Sequence, residues 1–272
     1  MRLFLLMGVA ALVGYGIRRL LEWALRVPED GSSRARWKGE APPPPADGNA
    51  VGEWVHGVVM DAYGAERAGW APERTERVME RLQQSRPEDA RLTAEVLWIS
   101  DVNAFTAPGR YVYISRRLLE RCATDESAAL VLAHEIAHHD LGHTDLFGGW
   151  MENVPRGLGS TLLAGVFQAA AKRCYGPERE ADADRHALRL CLAAGYDPGA
   201  CLKLFDVLEA DALDHGDADG VFGPWAAYAP EVDGTARWRS DLEVWMWERA
   251  RGYPSLRERR AALEDFLHTE PL

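Results

Sequence analysis

The stretch VLAHEIAHHD, residues 131–140, sets three histidines, a glutamate and an aspartate into a run of apolar side chains. Leu130, Val131, Leu132, Ala133, Ile136 and Ala137 read as one buried helix. Titratable groups are costly in such a place unless something pairs them. Residues four apart on a helix differ by about 40° around its axis, so His134 and His138 project from one face. Two imidazoles at that spacing can share a divalent ion, and Glu135 lies on the flank where water bound to that ion would sit. Thr124 is a suitable N-cap, Asp125 and Glu126 suit the first turn, and the helix should run to about His139, before Gly142. His139 and His143 repeat the four-residue spacing, but Gly142 interrupts them and they lie past the apolar run. They read as solvated or capping histidines.

Two histidines leave a catalytic ion short of a third protein ligand. The stretch PEREADADRHALRLCLAAG, residues 177–195, reads as a helix that Gly195 stops, and it offers Glu178, Glu180, Asp182 and Asp184. With Glu180 at zero, Asp184 falls at about 40°, Cys191 at about 20° and Leu188 at about 80°. Glu178, Asp182, Arg185 and Arg189 fall at about 140–200° and His186 at about 240°, on what reads as the solvated face. Glu180 and Asp184 therefore occupy the buried stripe. Glu180 as metal ligand and Asp184 as acceptor for a ligand imidazole N–H would satisfy both carboxylates.

The remainder of the chain frames this site. Its 272 residues are 47% hydrophobic and 27% charged, enough for a large core. A net charge of −11 argues against nucleic acid as a partner. Residues 1–27 open with an uncharged apolar run from Leu3 to Ile17, followed at once by Arg18 and Arg19. A membrane anchor fits best there. A cleaved signal segment, which would give an exported or periplasmic protein, and an interfacial or core helix are the alternatives. For an anchor, the arginines that follow the run keep the rest of the chain on the cytoplasmic side. Residues 28–50, with four consecutive prolines at 42–45, form a linker, and the folded domain is expected over 51–272.

Within that domain, residues 71–85 read as a helix opened by Pro72, and residues 94–100 and 110–115 as strands joined through DVNAFTAPG. Residues 158–171 read as an apolar helix and 197–213 as another, with irregular chain over 212–237 and a closing helix from Pro254. The acidic loop DHGDADG (214–220) lacks the ligand positions of a calcium loop. Cys122, Cys174, Cys191 and Cys201 show no paired spacing and read as buried thiols. Helices dominate over a small sheet, which gives an α+β fold, mainly helical.

Three stretches, DVNAFTAPGRYVYISRRLL, AALVLAHEIAHHDLGH and EADADRHALRLCLAAGYDP, resemble the zinc metalloendopeptidases that include the HtpX-type membrane proteases and the CAAX prenyl proteases, in the gluzincin group. The likeness runs over roughly residues 90–272. It implies one zinc held by His134, His138 and Glu180, with Glu135 as general base and Asp184 as the partner carboxylate of an E-x-x-x-D motif. Asn103, Ala104 and Phe105 match the family's active-site edge, which implies that protein or peptide substrates pair there by strand addition. The family's E-x-E-A-D letters would fit Glu178 and Asp182 better, but that frame places both carboxylates on the wet face. A family histidine before proline is replaced here by Tyr253, followed by Pro254 and Arg259. The tyrosine hydroxyl could still donate a hydrogen bond to an oxyanion, and Arg259 could face that oxyanion or act through a carboxylate. A zinc-stabilised scaffold or chaperone-like binder of unfolded chains, without catalysis, is the rival reading.

Overall fold

The structure, a computed structural model, describes residues 48–144, 176–214 and 254–269. The expected anchor, most of the linker, the apolar helix at 158–171, Cys174, most of the acidic loop and Tyr253 lie outside the described residues. No helix among the described residues is long and apolar enough to cross a membrane.

Helix α1 (Gly48–Tyr63) leads through Gly64 into strand β1 (Ala65–Glu66) and helix α2 (Trp70–Leu82). Pro72 is the third residue of α2 rather than its first, because Gly69, at φ 107°, lets the chain turn into the helix earlier. Three further strands follow, β2 (Thr93–Leu97), β3 (Ala104–Thr106) and β4 (Tyr111–Ser115). They form a four-stranded sheet in the order β1-β2-β4-β3. β2 and β4 run parallel, and the segment joining them contains β3, which pairs antiparallel with β4 around the Pro108-Gly109 turn. Among the described residues β3 is therefore an edge strand.

Side chains alternate across this sheet as a strand requires. Val96, Val112 and Ile114 enter the main core, whereas Leu97 and Tyr113 enter a smaller core beneath α1 with Val55 and Val59. The approach of α1 depends on two glycines. A Cβ on Gly52 would meet the Gly109 Cα at 2.4 Å.

Helix α3 (Arg116–Arg121) is capped by Ser115, and α4 (Asp125–Asp140) by Thr124, whose side chain accepts from the Ser127 amide. Such a cap is worth about 1 kcal/mol. α4 lies against β3, β4 and α2, and packs most extensively on α5 (Pro177–Ala193). Helix α6 (Pro198–Cys201) and helix α7 (Leu204–Asp214) follow, so the helix expected over 197–213 is broken near Leu202, and α7 extends into the stretch expected to be irregular. Helix α8 (Leu256–Thr269) packs on α5 and α7.

Two arginines of α2 hold the ends of the site-bearing helices. Arg74 binds Asp125 at 2.8 Å and donates to the Leu119, Cys122 and Thr124 carbonyls around the start of α4. Arg81, one heptad on, donates to the Ala194 and Gly195 carbonyls that close α5, at 2.8 and 2.7 Å. Cys122, Cys191 and Cys201 are buried free thiols.

Candidate metal centre

α4 and α5 face each other through the residues the helical wheels single out. His134 and His138 bring their Nε2 atoms to 3.1 Å. Glu180 places one carboxylate oxygen 3.4 Å from His134 Nε2 and the other 3.5 Å from His138 Nε2. Donors about 2.0–2.1 Å from a tetrahedral ion stand about 3.3–3.4 Å from one another, so this spacing matches one zinc-sized cation. Two imidazoles and a carboxylate are also the donor set such an ion favours. The residues present fit a metal. Glu178 and Asp182 are exposed, whereas Glu180 and Asp184 face the α4 histidines.

Around these donors lies a layer of oriented partners. Asp184 Oδ1 stands 3.0 Å from His134 Nδ1. Arg259, from α8, grips the same carboxylate with Nε and Nη2 at 2.8 and 2.7 Å, and reaches Glu180 Oε2 at 3.7 Å. Of the two arrangements expected for Arg259, the structure shows the one in which it binds a carboxylate. It stands at the start of α8 because Ser255 caps that helix, exchanging hydrogen bonds with Glu258 in a capping box. Glu135 is buried, 6% exposed, and close enough to Arg259 to favour its charge.

Electrostatics follow from the packing. Burial disfavours the Asp184 carboxylate, but Arg259 and His134 outweigh it and hold its carboxyl well below the usual range. Burial likewise opposes a charge on His134, yet Asp184 and Glu180 push its pKa up to about 10. His138 is driven the other way by burial and by the neighbouring His134 and His143.

Three histidines differ from their expected setting. His143 is buried, with Nδ1 2.8 Å from His138 Nδ1, and is neither solvated nor a simple cap. On an unbroken helix a residue five positions on lies about 140° from His138. The helix does not continue. Leu141 closes it, Gly142 takes φ 68°, and the reversed chain brings His143 back beneath His138. The clue in the sequence is Gly142 itself, a C-terminal stop placed directly before a histidine. His139 is half-buried and bonds through Nε2 to the Thr106 hydroxyl, tying α4 to edge strand β3. Burial lowers its pKa to about 4. His186, expected on the solvated face, is half-buried and binds Asp140 at 2.9 Å.

β3 runs beside α4 at the rim of the sheet. Asn103 is held to Ser115 through its own amide and carbonyl, at 3.1 and 2.8 Å, and Phe105 stacks on Tyr113 at 4.9 Å. Among the described residues, β3 has β4 as its one strand neighbour, which leaves its outer backbone edge unpaired by a strand.

The family model for peptidase family M48 matches residues 65–271. The chain belongs to that metalloprotease family. Of the curated relatives, the mitochondrial metalloendopeptidase OMA1 of Saccharomyces cerevisiae is 31% identical over 116 residues, 38% of this chain and 32% of the relative. The protein of the same name from Schizosaccharomyces pombe is 26% identical over 163 residues, 54% of this chain and 44% of the relative. The chain thus spans a third to under half of the length of these two relatives.

Proposed function

We propose that this M48 member is a zinc-dependent endopeptidase that hydrolyses internal peptide bonds of protein or peptide substrates. The observation that carries the reading is the juxtaposition of the three converging donors, His134, His138 and Glu180, with the buried carboxylate of Glu135, which shares α4 with the two histidines. One zinc bound by these donors would lower the pKa of a water to about 7 and polarise the scissile carbonyl. Glu135 would serve as the base that takes a proton from the attacking water and passes it to the leaving amine. Asp184 fixes the His134 ring with Nδ1–H donating to its carboxylate, so that Nε2 presents its lone pair, and Arg259 keeps Asp184 ionised and oriented. The outer edge of β3, Asn103 to Phe105, receives the substrate backbone as an added strand, and its place beside α4 supports that role. Tyr253 is assigned the donor to the substrate oxyanion. Residues 1–27 anchor the chain to a membrane, with the 51–272 domain on the cytoplasmic side.

Replacing Glu135 with Gln keeps size and polarity but removes the base. The full-length variant should retain one zinc while casein cleavage falls about 10²–10⁴-fold. Cleavage at the wild-type rate would defeat the catalytic assignment, and a wild-type protein without zinc would defeat the metal assignment.

A further inference from the structure

His143 is a buried imidazole that the proposed mechanism does not use, and it lies against a ligand. Its Nδ1 and that of His138 are 2.8 Å apart, on the side of the His138 ring opposite the metal-facing Nε2. Two imidazole nitrogens cannot stand this close with both bare or both protonated, so one hydrogen lies between them. Which nitrogen carries it depends on what His138 does with its other edge. When Nε2 gives its lone pair to a metal, the neutral ring keeps its single proton on Nδ1. That N–H then donates to His143 Nδ1, and the proton of His143 sits on its own Nε2.

We propose that His143 is a positioning residue for the metal centre, the acceptor that fixes the ring orientation and tautomer of His138. The inference rests on the zinc reading above and extends it. The two histidine ligands are then oriented by unlike partners: His134 by the Asp184 carboxylate, which Arg259 holds in turn, and His138 by a neutral imidazole. A carboxylate raises the basicity of the ring it binds more than a neutral acceptor does, so the two ligands are unequal donors. The turn at Gly142 is what makes the second partner available, because it returns the chain to a face that the helix had left.

The test uses the full-length protein, purified metal-free, and reads zinc affinity by competition with a chromogenic chelator. Urea unfolding of each metal-free variant reports on the fold separately. His143→Leu should weaken zinc about 10–100-fold, the range for loss of such a partner. His143→Asn should regain affinity to within a few-fold of wild type, because Asn Oδ1 occupies the place of Nδ1 and accepts the same hydrogen bond. His143→Gln, with its amide carried one methylene further, should stay near the Leu level. If His143→Leu fails to fold, the comparison of Asn with Gln decides. Wild-type affinity in His143→Leu, or equal affinity in the Asn and Gln variants, would overturn the inference while leaving the zinc reading intact. A wild-type protein that takes up no zinc would overturn the zinc reading and this inference together.

Discussion

Asp184 is the point on which the second layer of the site converges, and changing it to Asn removes the charge at nearly constant volume. The variant loses an ionic acceptor for His134 Nδ1 at 3.0 Å and for both arms of the Arg259 guanidinium. Breaking a buried ion pair from one side costs about 3–5 kcal/mol. Here the full figure does not apply, since the Arg259 side chain keeps 23% exposure and Glu180 waits 3.7 Å away as a substitute partner. Screening and that substitute reduce the expected loss to about 2 kcal/mol. The assay is a double-mutant cycle in urea on the metal-free protein, with Asp184→Asn, Arg259→Met and the pair. A coupling of about 1–2 kcal/mol is expected. The cycle has a second reading in zinc affinity. With Asp184 neutral, Arg259 turns to Glu180 and competes with the metal for it, so affinity should fall about 10–100-fold in Asp184→Asn. Part of that loss should return when Arg259→Met is added. Stabilities that add to within about 0.3 kcal/mol, or a double variant weaker in zinc than the product of the two singles, would refute the relay from α8 to the ligand.

Three further outcomes follow from other parts of the structure. Glu180→Ala should abolish cleavage and weaken zinc in a chelator competition, whereas Glu178→Ala should change neither; the reverse pattern would mean that α5 presents its other face. Burial works against the Asp125 carboxylate, but Arg74 and Arg77 hold its carboxyl below the ordinary value of 3.8, so its stabilising contribution is complete above that pH and disappears as pH falls through the lowered value. Asp125→Asn should therefore flatten the acid limb of a stability-against-pH curve, and an unchanged limb would exclude it. Gly52→Ala brings a methyl group to within 2.4 Å of the Gly109 backbone, where no flexible side chain can yield, and should lower stability by about 1–3 kcal/mol in urea.

Periodicity made much of this legible in advance. Helices α4 and α5 announce themselves through apolar stripes, Thr124, Gly195 and the two carboxylates on the buried face, because all of that information is local. The α+β class follows from the same pattern. What stayed hidden was set by tertiary contact. β3 is three residues long and exists because β4 lies beside it. The parallel pairing of β2 with β4 carries no local signature, since either orientation presents alternating side chains equally well. His143 and His139 read as solvated because they lie past the apolar run, and spacing alone says nothing of the neighbours that bury them. A reversal at Gly142 moved one, and the hydroxyl of Thr106 claimed the other. Arg259 stands out in sequence through the family resemblance, but its partner, Asp184, follows only from the packing of α8 on α5.

The two α2 arginines tie both site-bearing helices to one further helix. Arg74 fastens the beginning of α4 and Arg81 the end of α5, and these anchor points are about two helical turns apart on one rigid rod. The distance between the histidine-bearing and glutamate-bearing helices is thereby gauged by a third element that contributes no ligand. The element that sets this distance therefore lies outside both ligand-bearing helices. Substitutions on α2, remote from any proposed chemistry, become the means by which the bite of the metal site could be widened or narrowed.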